Sequence, residues 1–326
     1  MTAVSTEEPV RSAQRQPEGG AALASGAHDR DGSLEAGFDE PIRFRVQGDP
    51  EAPPVAVLGG ISADRICNRW WHPVVGPEGA LDSDRHRLIS IDWMTGGSGV
   101  DTREHARALS AVLDHLQVDR LAALVGASYG AMVGLAFAAE YQARVGRLIA
   151  ISGAHRSTPA ATARRLVQRE IVRFAIKEGR GDRGVALARA LALTTYRPAE
   201  VFDRRFYDEN PDLVVSALAS YLDYNGHVFA QACGAERYLA LSESLDRHRV
   251  DVDAIKCPVD LVGMPSDDLV PLDQLRQLAG MVGFRCRLHV VDSPYGHDAF
   301  LKSPELINPL LERLLDNCRE AVDEIA

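Results

Sequence analysis

Leu121-Ala122-Ala123-Leu124-Val125-Gly126-Ala127-Ser128-Tyr129-Gly130 is a short apolar run that ends in Gly-x-Ser-x-Gly. The run has the length of a buried strand. The stretch after it, residues 132–141, is rich in Ala, Leu and Met and free of proline, as a helix should be. Strand, sharp turn and helix is the setting in which this pentapeptide presents an exposed serine. Small residues at Gly126 and Gly130 let strand and helix approach, while Ser128 is held in a strained conformation with its hydroxyl projecting. Ser128 is therefore the candidate nucleophile, and the surrounding chain reads as an α/β fold.

A serine hydroxyl is a weak nucleophile until a base removes its proton, so a histidine and an orienting acid are required further along the chain. The expected order is Ser, then Asp or Glu, then His. Residues 257–263, Cys-Pro-Val-Asp-Leu-Val-Gly, read as a strand, and the loop after it carries Asp267 and Asp268. Either carboxylate could instead cap the helix expected to begin near Pro271. Asp267 is favoured as the acid. Residues 287–291 read as a last strand, followed by Ser293-Pro294-Tyr295-Gly296-His297-Asp298. Of ten histidines, His297 is the one in a glycine-containing loop directly after the last predicted strand. Both candidates fall at strand carboxyl ends, where an open α/β sheet places its active site.

An attacked acyl carbonyl becomes an oxyanion that needs two preset donors, one from the residue after the nucleophile and one from the loop after an earlier strand. The Tyr129 amide is the first. Residues 55–58 read as the earlier strand and Gly59-Gly60-Ile61-Ser62 follow it, which makes the Ile61 amide the second.

The remaining chain narrows the function classes. A net charge of -10 over 326 residues argues against nucleic-acid binding. Five widely spaced cysteines without a C-x-x-C pair fit reduced thiols rather than a disulfide frame or zinc site. No metal-ligand cluster stands out, and Gly59-Gly60 and Gly96-Gly97 do not form a dinucleotide fingerprint, so neither metal nor cofactor is expected. Residues 1–40 read as a disordered tail without a signal-peptide core. No stretch approaches the twenty apolar residues of a membrane span, so a soluble, cytoplasmic protein is expected. Residues 41–155 and 253–326 form the predicted core. Residues 156–252 form an inserted helical lid, with helices over 159–177, 184–194, 201–207, 211–224 and 227–244. The lid is rich in arginine, including Arg164, Arg165, Arg169, Arg173, Arg189 and Arg197. One or two of these are expected to be desolvated and to hold a substrate carboxylate.

Four further stretches carry a resemblance. They are Trp70-Trp71 through Val75-Gly76-Pro77 to Leu81-Asp82-Ser83-Asp84-Arg85; Ala188-Arg189 with Thr195-Tyr196-Arg197; Ser220-Tyr221-Leu222 with Tyr224-Asn225-Gly226; and Ser293 to Leu301 around His297. In this order around the elbow, from about Val55 to Leu315, the chain resembles the homoserine O-acyltransferase family of the α/β-hydrolase fold. That fold has a mostly parallel central sheet with helices on both faces and an inserted helical lid. The resemblance implies acyl-CoA-dependent O-acylation of L-homoserine, in methionine biosynthesis, by ping-pong transfer through an acyl-Ser128 intermediate. It implies that His297 is the base and Asp267 its orienting acid. Arg189 would hold the acceptor's carboxylate, Tyr196 would support it and Asp298 would bind its amino group. An amino acid carries one charge of each sign, and a site for it needs both complements. The resemblance also implies a homodimer formed through lid helices, with coenzyme A entering as a cosubstrate.

A succinyl donor brings an extra carboxylate. Arg65 and Arg69, just after the oxyanion loop, are candidates to meet it or the phosphates of CoA, so succinyl-CoA is favoured over acetyl-CoA. Homoserine O-acetylation, serine O-acylation and simple ester hydrolysis are the competing readings. An esterase has no use for the pairing of Arg189 with Asp298.

Overall fold

The computed structural model describes residues 28–96 and 100–323. Its centre is one eight-stranded sheet in the order β1-β2-β4-β3-β5-β6-β7-β8. Strands β1 (Arg30–Leu34) and β2 (Ile42–Gln47) run antiparallel at one edge. The others, β3 (Pro54–Leu58), β4 (Arg87–Ile91), β5 (Ala123–Ala127), β6 (Leu148–Ile151), β7 (Val259–Gly263) and β8 (Cys286–Val290), are parallel. All five residues of β4, β5 and β7 are buried; β5 reads as a continuous apolar run, whereas β4 and β7 also bury Arg87, Ser90 and Asp260.

Alternation along β3 shows the two layers. Ala56 and Leu58 face a core shared with Leu109 and Val112 of α2 (Thr102–His115) and Val133 and Phe137 of α3 (Tyr129–Glu140). Val55 and Val57 face the opposite core, built with Trp71 next to α1 (Cys67–Trp70) and with Leu311 and Leu314 of α11 (Pro304–Asp323). Helix α9 (Leu272–Val282) joins the first layer, and the short α10 (Ala299–Lys302) leads into α11.

Five helices lie between β6 and β7: α4 (Pro159–Lys177), α5 (Gly181–Tyr196), α6 (Ala199–Phe206), α7 (Pro211–Ala232) and α8 (Ala235–Arg247). Helix α4 keeps the predicted bounds because its start is chemically marked. Thr158 accepts from the Ala161 amide and Pro159 occupies the first helical turn. The predicted break near residue 225 is not a break. Gly226 lies inside α7, where a Cβ would sit 2.4 Å from the Ala186 carbonyl oxygen, so this glycine serves a close crossing with α5. The chain turns at Cys233–Gly234 instead.

The predicted tail, 1–40, is corrected in part. Residues 30–34 form β1, paired from Arg30↔Val46 to Leu34↔Ile42. This edge strand, Arg-Asp-Gly-Ser-Leu, is held by its backbone ladder, so no apolar pattern announces it. Residues 1–27 lie outside the described residues. No helix among the described residues is long and apolar enough to cross a membrane. No group of three His, Cys, Asp or Glu there is placed to hold a metal.

Candidate active site

The turn from β5 to α3 carries Ser128 at φ 54° and ψ -114°, a left-handed backbone that a non-glycine residue adopts only under constraint. The constraints are backbone ones. The Ser128 amide donates to the Ile151 carbonyl at 2.8 Å and the Gly130 amide donates to Gly59 at 2.8 Å. A Cβ on Gly126 would lie 2.4 Å from the Gly130 carbonyl oxygen, and one on Gly130 would lie 2.3 Å from that of Leu58. Strand and helix therefore meet at a separation only glycine allows.

His297 reaches this serine from a single helical turn, Gly296–Asp298, past the end of β8. Its Nε2 stands 2.8 Å from Ser128 Oγ and its Nδ1 2.8 Å from Asp267 Oδ2. Of the two candidate carboxylates, Asp267 is the one within hydrogen-bond reach of His297. Its second oxygen accepts the Leu269 and Val270 amides at 2.9 and 3.0 Å, which fixes the carboxylate plane. Asp268 is exposed, and its backbone carbonyl accepts from Arg164. Burial alone would raise the Asp267 pKa, but the charge and hydrogen bond of His297 and the two amides outweigh it and hold the acid below its ordinary value. For His297 burial pushes downward, yet the charge and hydrogen bond of Asp267 prevail and raise it. Neutral His297, with its proton on Nδ1, presents a bare Nε2 to the serine hydroxyl.

Ile61 lines the same cavity as Ser128 and His297, and a Cβ on Gly60 would stand 4.0 Å from that of Ser128. Among the described residues neither the Ile61 nor the Tyr129 amide has an acceptor of its own. Two free donors thus flank the nucleophile.

Of the residues expected to touch substrate, Tyr196 lines the cavity, whereas Arg189, Asp298, Arg65 and Arg69 are not among its lining residues. Tyr196 is beside the relay, its ring centroid 5.8 Å from that of His297, and it lines the cavity. Arg189 lies over the rings of Tyr196 and Phe229, at 5.0 and 4.9 Å, with no carboxylate partner among the described residues. Asp298 is buried next to the relay but is already held by Arg197, whose Nε lies 2.8 Å from its Oδ2. Arg65 and Arg69 are committed to other partners. Neither lines the cavity, Arg65 is paired with Asp31 and Asp92, and Arg69 is paired with Asp64. Of the lid arginines, Arg169 is the most deeply buried and Arg165 and Arg197 nearly so, and their charges are matched by Asp246 and Asp298 rather than left for a ligand.

Sequence reasoning missed one cavity wall. Ala161, Arg164, Arg165 and Gln168 lie three and four residues apart, on one face of α4, and all line the cavity with Tyr238 of α8. That spacing was the available signal.

Sheet, elbow and relay define the class, an α/β hydrolase, and a family model described as the alpha/beta hydrolase fold matches residues 53–304. The homoserine O-succinyltransferase of Xanthomonas campestris pv. campestris is 40% identical over 84% of this chain and 78% of its own length. The homoserine O-acetyltransferase of Thermus thermophilus is 33% identical over 76% of this chain and 72% of its own. A crystal structure of homoserine O-acetyltransferase from Bacillus anthracis superposes with a TM-score of 0.77 at 15% identity, covering 88% of this chain and 97% of that one. The chain belongs to the homoserine O-acyltransferase family of this fold.

Proposed function

We propose that this protein is an acyltransferase that moves an acyl group from an acyl-CoA to the hydroxyl of L-homoserine through an ester on Ser128. The observation that carries this reading is the continuous Ser128–His297–Asp267 relay, with Arg189, which has no carboxylate partner among the described residues, packed on the Tyr196 ring next to it. His297 Nε2 takes the Ser128 proton as Oγ attacks the thioester carbonyl. The amides of Ile61 and Tyr129 receive the oxyanion. As the carbon–sulfur bond breaks, His297 returns the proton to the departing thiolate, and the serine ester remains. The homoserine hydroxyl then repeats the sequence, giving its proton to His297 and taking the acyl group, while Ser128 regains its proton. In this reading Arg189 receives the amino acid's carboxylate and Asp298 faces its ammonium.

For the donor we favour succinyl-CoA. Arg156 and Arg164 line the cavity, and among the described residues neither is paired with a carboxylate. They stand where a second carboxylate on the acyl chain or the phosphates of CoA would meet them. A homodimer through the lid is supported by apolar side chains left exposed on α4 and α5, Val167, Phe174 and Leu187 among them.

The test is thiol release from succinyl-CoA and from acetyl-CoA, each with L-homoserine, L-serine or no acceptor, beside Ser128→Ala. Release that requires homoserine and vanishes in the variant supports the reading. Release without an acceptor makes the protein a hydrolase.

A further inference from the structure

The loop that follows β4 grips the oxyanion loop at two points. Asp92 accepts the Arg65 amide at 2.8 Å and pairs with its guanidinium at 2.9 Å. One residue on, the Trp93 indole N–H donates to the Gly60 carbonyl at 2.8 Å, and that carbonyl also accepts the Ala63 amide at 2.9 Å. The Gly60 carbonyl and the Ile61 N–H are the two ends of one planar peptide and point in opposite directions. Whatever holds the carbonyl therefore aims the amide. With glycine at residues 59 and 60, little side-chain bulk resists rotation of this peptide, so its orientation rests on the hydrogen bonds it makes.

The same indole reaches the second donor. Its ring packs edge-on against Tyr129, 5.0 Å between centroids at 86°. Tyr129 is fully buried, and its hydroxyl lies 2.9 Å from His105 Nδ1 and 2.6 Å from Ser244 Oγ. His105 Nε2 faces the Met94 carbonyl at 3.2 Å, an acceptor only, so its proton is on Nε2 and Nδ1 accepts from Tyr129. Burial lowers the His105 pKa to about 4, which keeps this arrangement neutral near pH 7. Helix α8 closes the assembly: Ser244 holds the Tyr129 hydroxyl, and Arg237 donates to the Trp93 carbonyl at 3.0 Å.

We propose that Trp93 is a positioning residue for the oxyanion site. Its N–H holds the Gly60–Ile61 peptide with the Ile61 amide turned toward Ser128, and its ring braces the residue that carries the other amide. The inference rests on acyl transfer at Ser128. It adds that both donors are set by one side chain outside the relay and that the lid helix α8 bears on them through it.

The test replaces Trp93 by its benzothiophene isostere, which keeps the ring and removes only the N–H, with Trp93→Phe alongside. The readouts are the burst of p-nitrophenolate from p-nitrophenyl acetate, the acetyl adduct on Ser128 by mass spectrometry, and the thermal midpoint. The acylation rate should fall roughly 10- to 100-fold in the isostere, less than or equal to the loss of a whole oxyanion donor. KM should stay within about twofold and the thermal midpoint within about two degrees, a split that mere loss of packing would not produce. An isostere that acylates at the wild-type rate overturns the proposal, and so does a loss that appears wholly in KM. If wild-type protein forms no adduct on Ser128, the acyl-transfer reading itself fails and Trp93 has no oxyanion to serve. Should Trp93→Phe not fold, the isostere alone decides.

Discussion

Arg197 donates its Nε–H to Asp298 Oδ2 at 2.8 Å, and each side chain is about nine-tenths buried. The carboxylate proposed to face the substrate's ammonium is thus already partnered in the free protein. A ligand cation joins this pair rather than finding a bare charge, and the desolvation cost of Asp298 is met before substrate arrives.

Asp298→Asn should therefore act on acceptor binding and not on acylation. Loss of one charge-assisted contact is worth about 1.5–3 kcal/mol, so KM for L-homoserine should rise roughly 10- to 100-fold. The rate of Ser128 acylation, followed by the burst, should stay within about threefold. An unchanged KM would remove Asp298 from the acceptor site.

The relay sets the pH dependence. His297 acts as a base only when neutral, and its pKa is raised above 6.5 in the folded protein. Activity should climb with pH through that raised value. Asp267→Asn should move the acid limb to lower pH while cutting kcat by roughly 10³- to 10⁴-fold, since the imidazole loses both its charge partner and its fixed tautomer. Stability runs the other way. The raised His297 pKa contributes stability in full below 6.5, and this is lost as pH rises through the folded value. The lowered Asp267 pKa contributes above 3.8, and this is lost as pH falls through its folded value. His297→Gln should thus cost more stability at about pH 5.5 than at about pH 9, as read by denaturant unfolding.

Gly130→Ala tests the elbow. Its Cβ would meet the Leu58 and Gly59 carbonyls, atoms of backbone that cannot swing aside. A loss of about 3 kcal/mol in unfolding free energy is expected, the upper end for overpacking a core. A variant as stable as wild type would show that strand and helix are less closely apposed.

Phe174, 69% exposed on α4, tests the dimer. Phe174→Glu should give a monomer in sedimentation velocity if the lid face is the interface, because a charge would be buried there unpaired. A monomeric wild-type protein would leave that apolar face to another role.

The parts readable from the sequence are those governed by local chemistry. Gly126, Ser128 and Gly130 announce the elbow because nothing larger fits its backbone, and Thr158-Pro159 marks the start of α4 to the residue. The order Ser128, Asp267, His297 follows from strand ends at which loops cluster. What escaped depends on through-space partners. β1 is placed by hydrogen bonds to β2, and Gly226 by contact with a helix forty residues earlier. Arg65 looked like a ligand for anions, but Asp31 and Asp92 lie far from it in sequence and claim it in space. Trp93 carries no local signal for its bond to Gly60, thirty-three residues back.

Strand β6 pairs with β7 across the whole lid, from Leu148↔Val259 to Ile151↔Val262. Ser128 belongs to the half that ends at β6, and Asp267 and His297 to the half that begins at β7. Closing a loop of roughly 100 residues costs about 4 kcal/mol of chain entropy before that ladder can repay it. During refolding the elbow can assemble from near neighbours, whereas the relay must wait for the slowest, most non-local pairing in the sheet. Helix should return first and acylation last, so that activity reports completion of the fold.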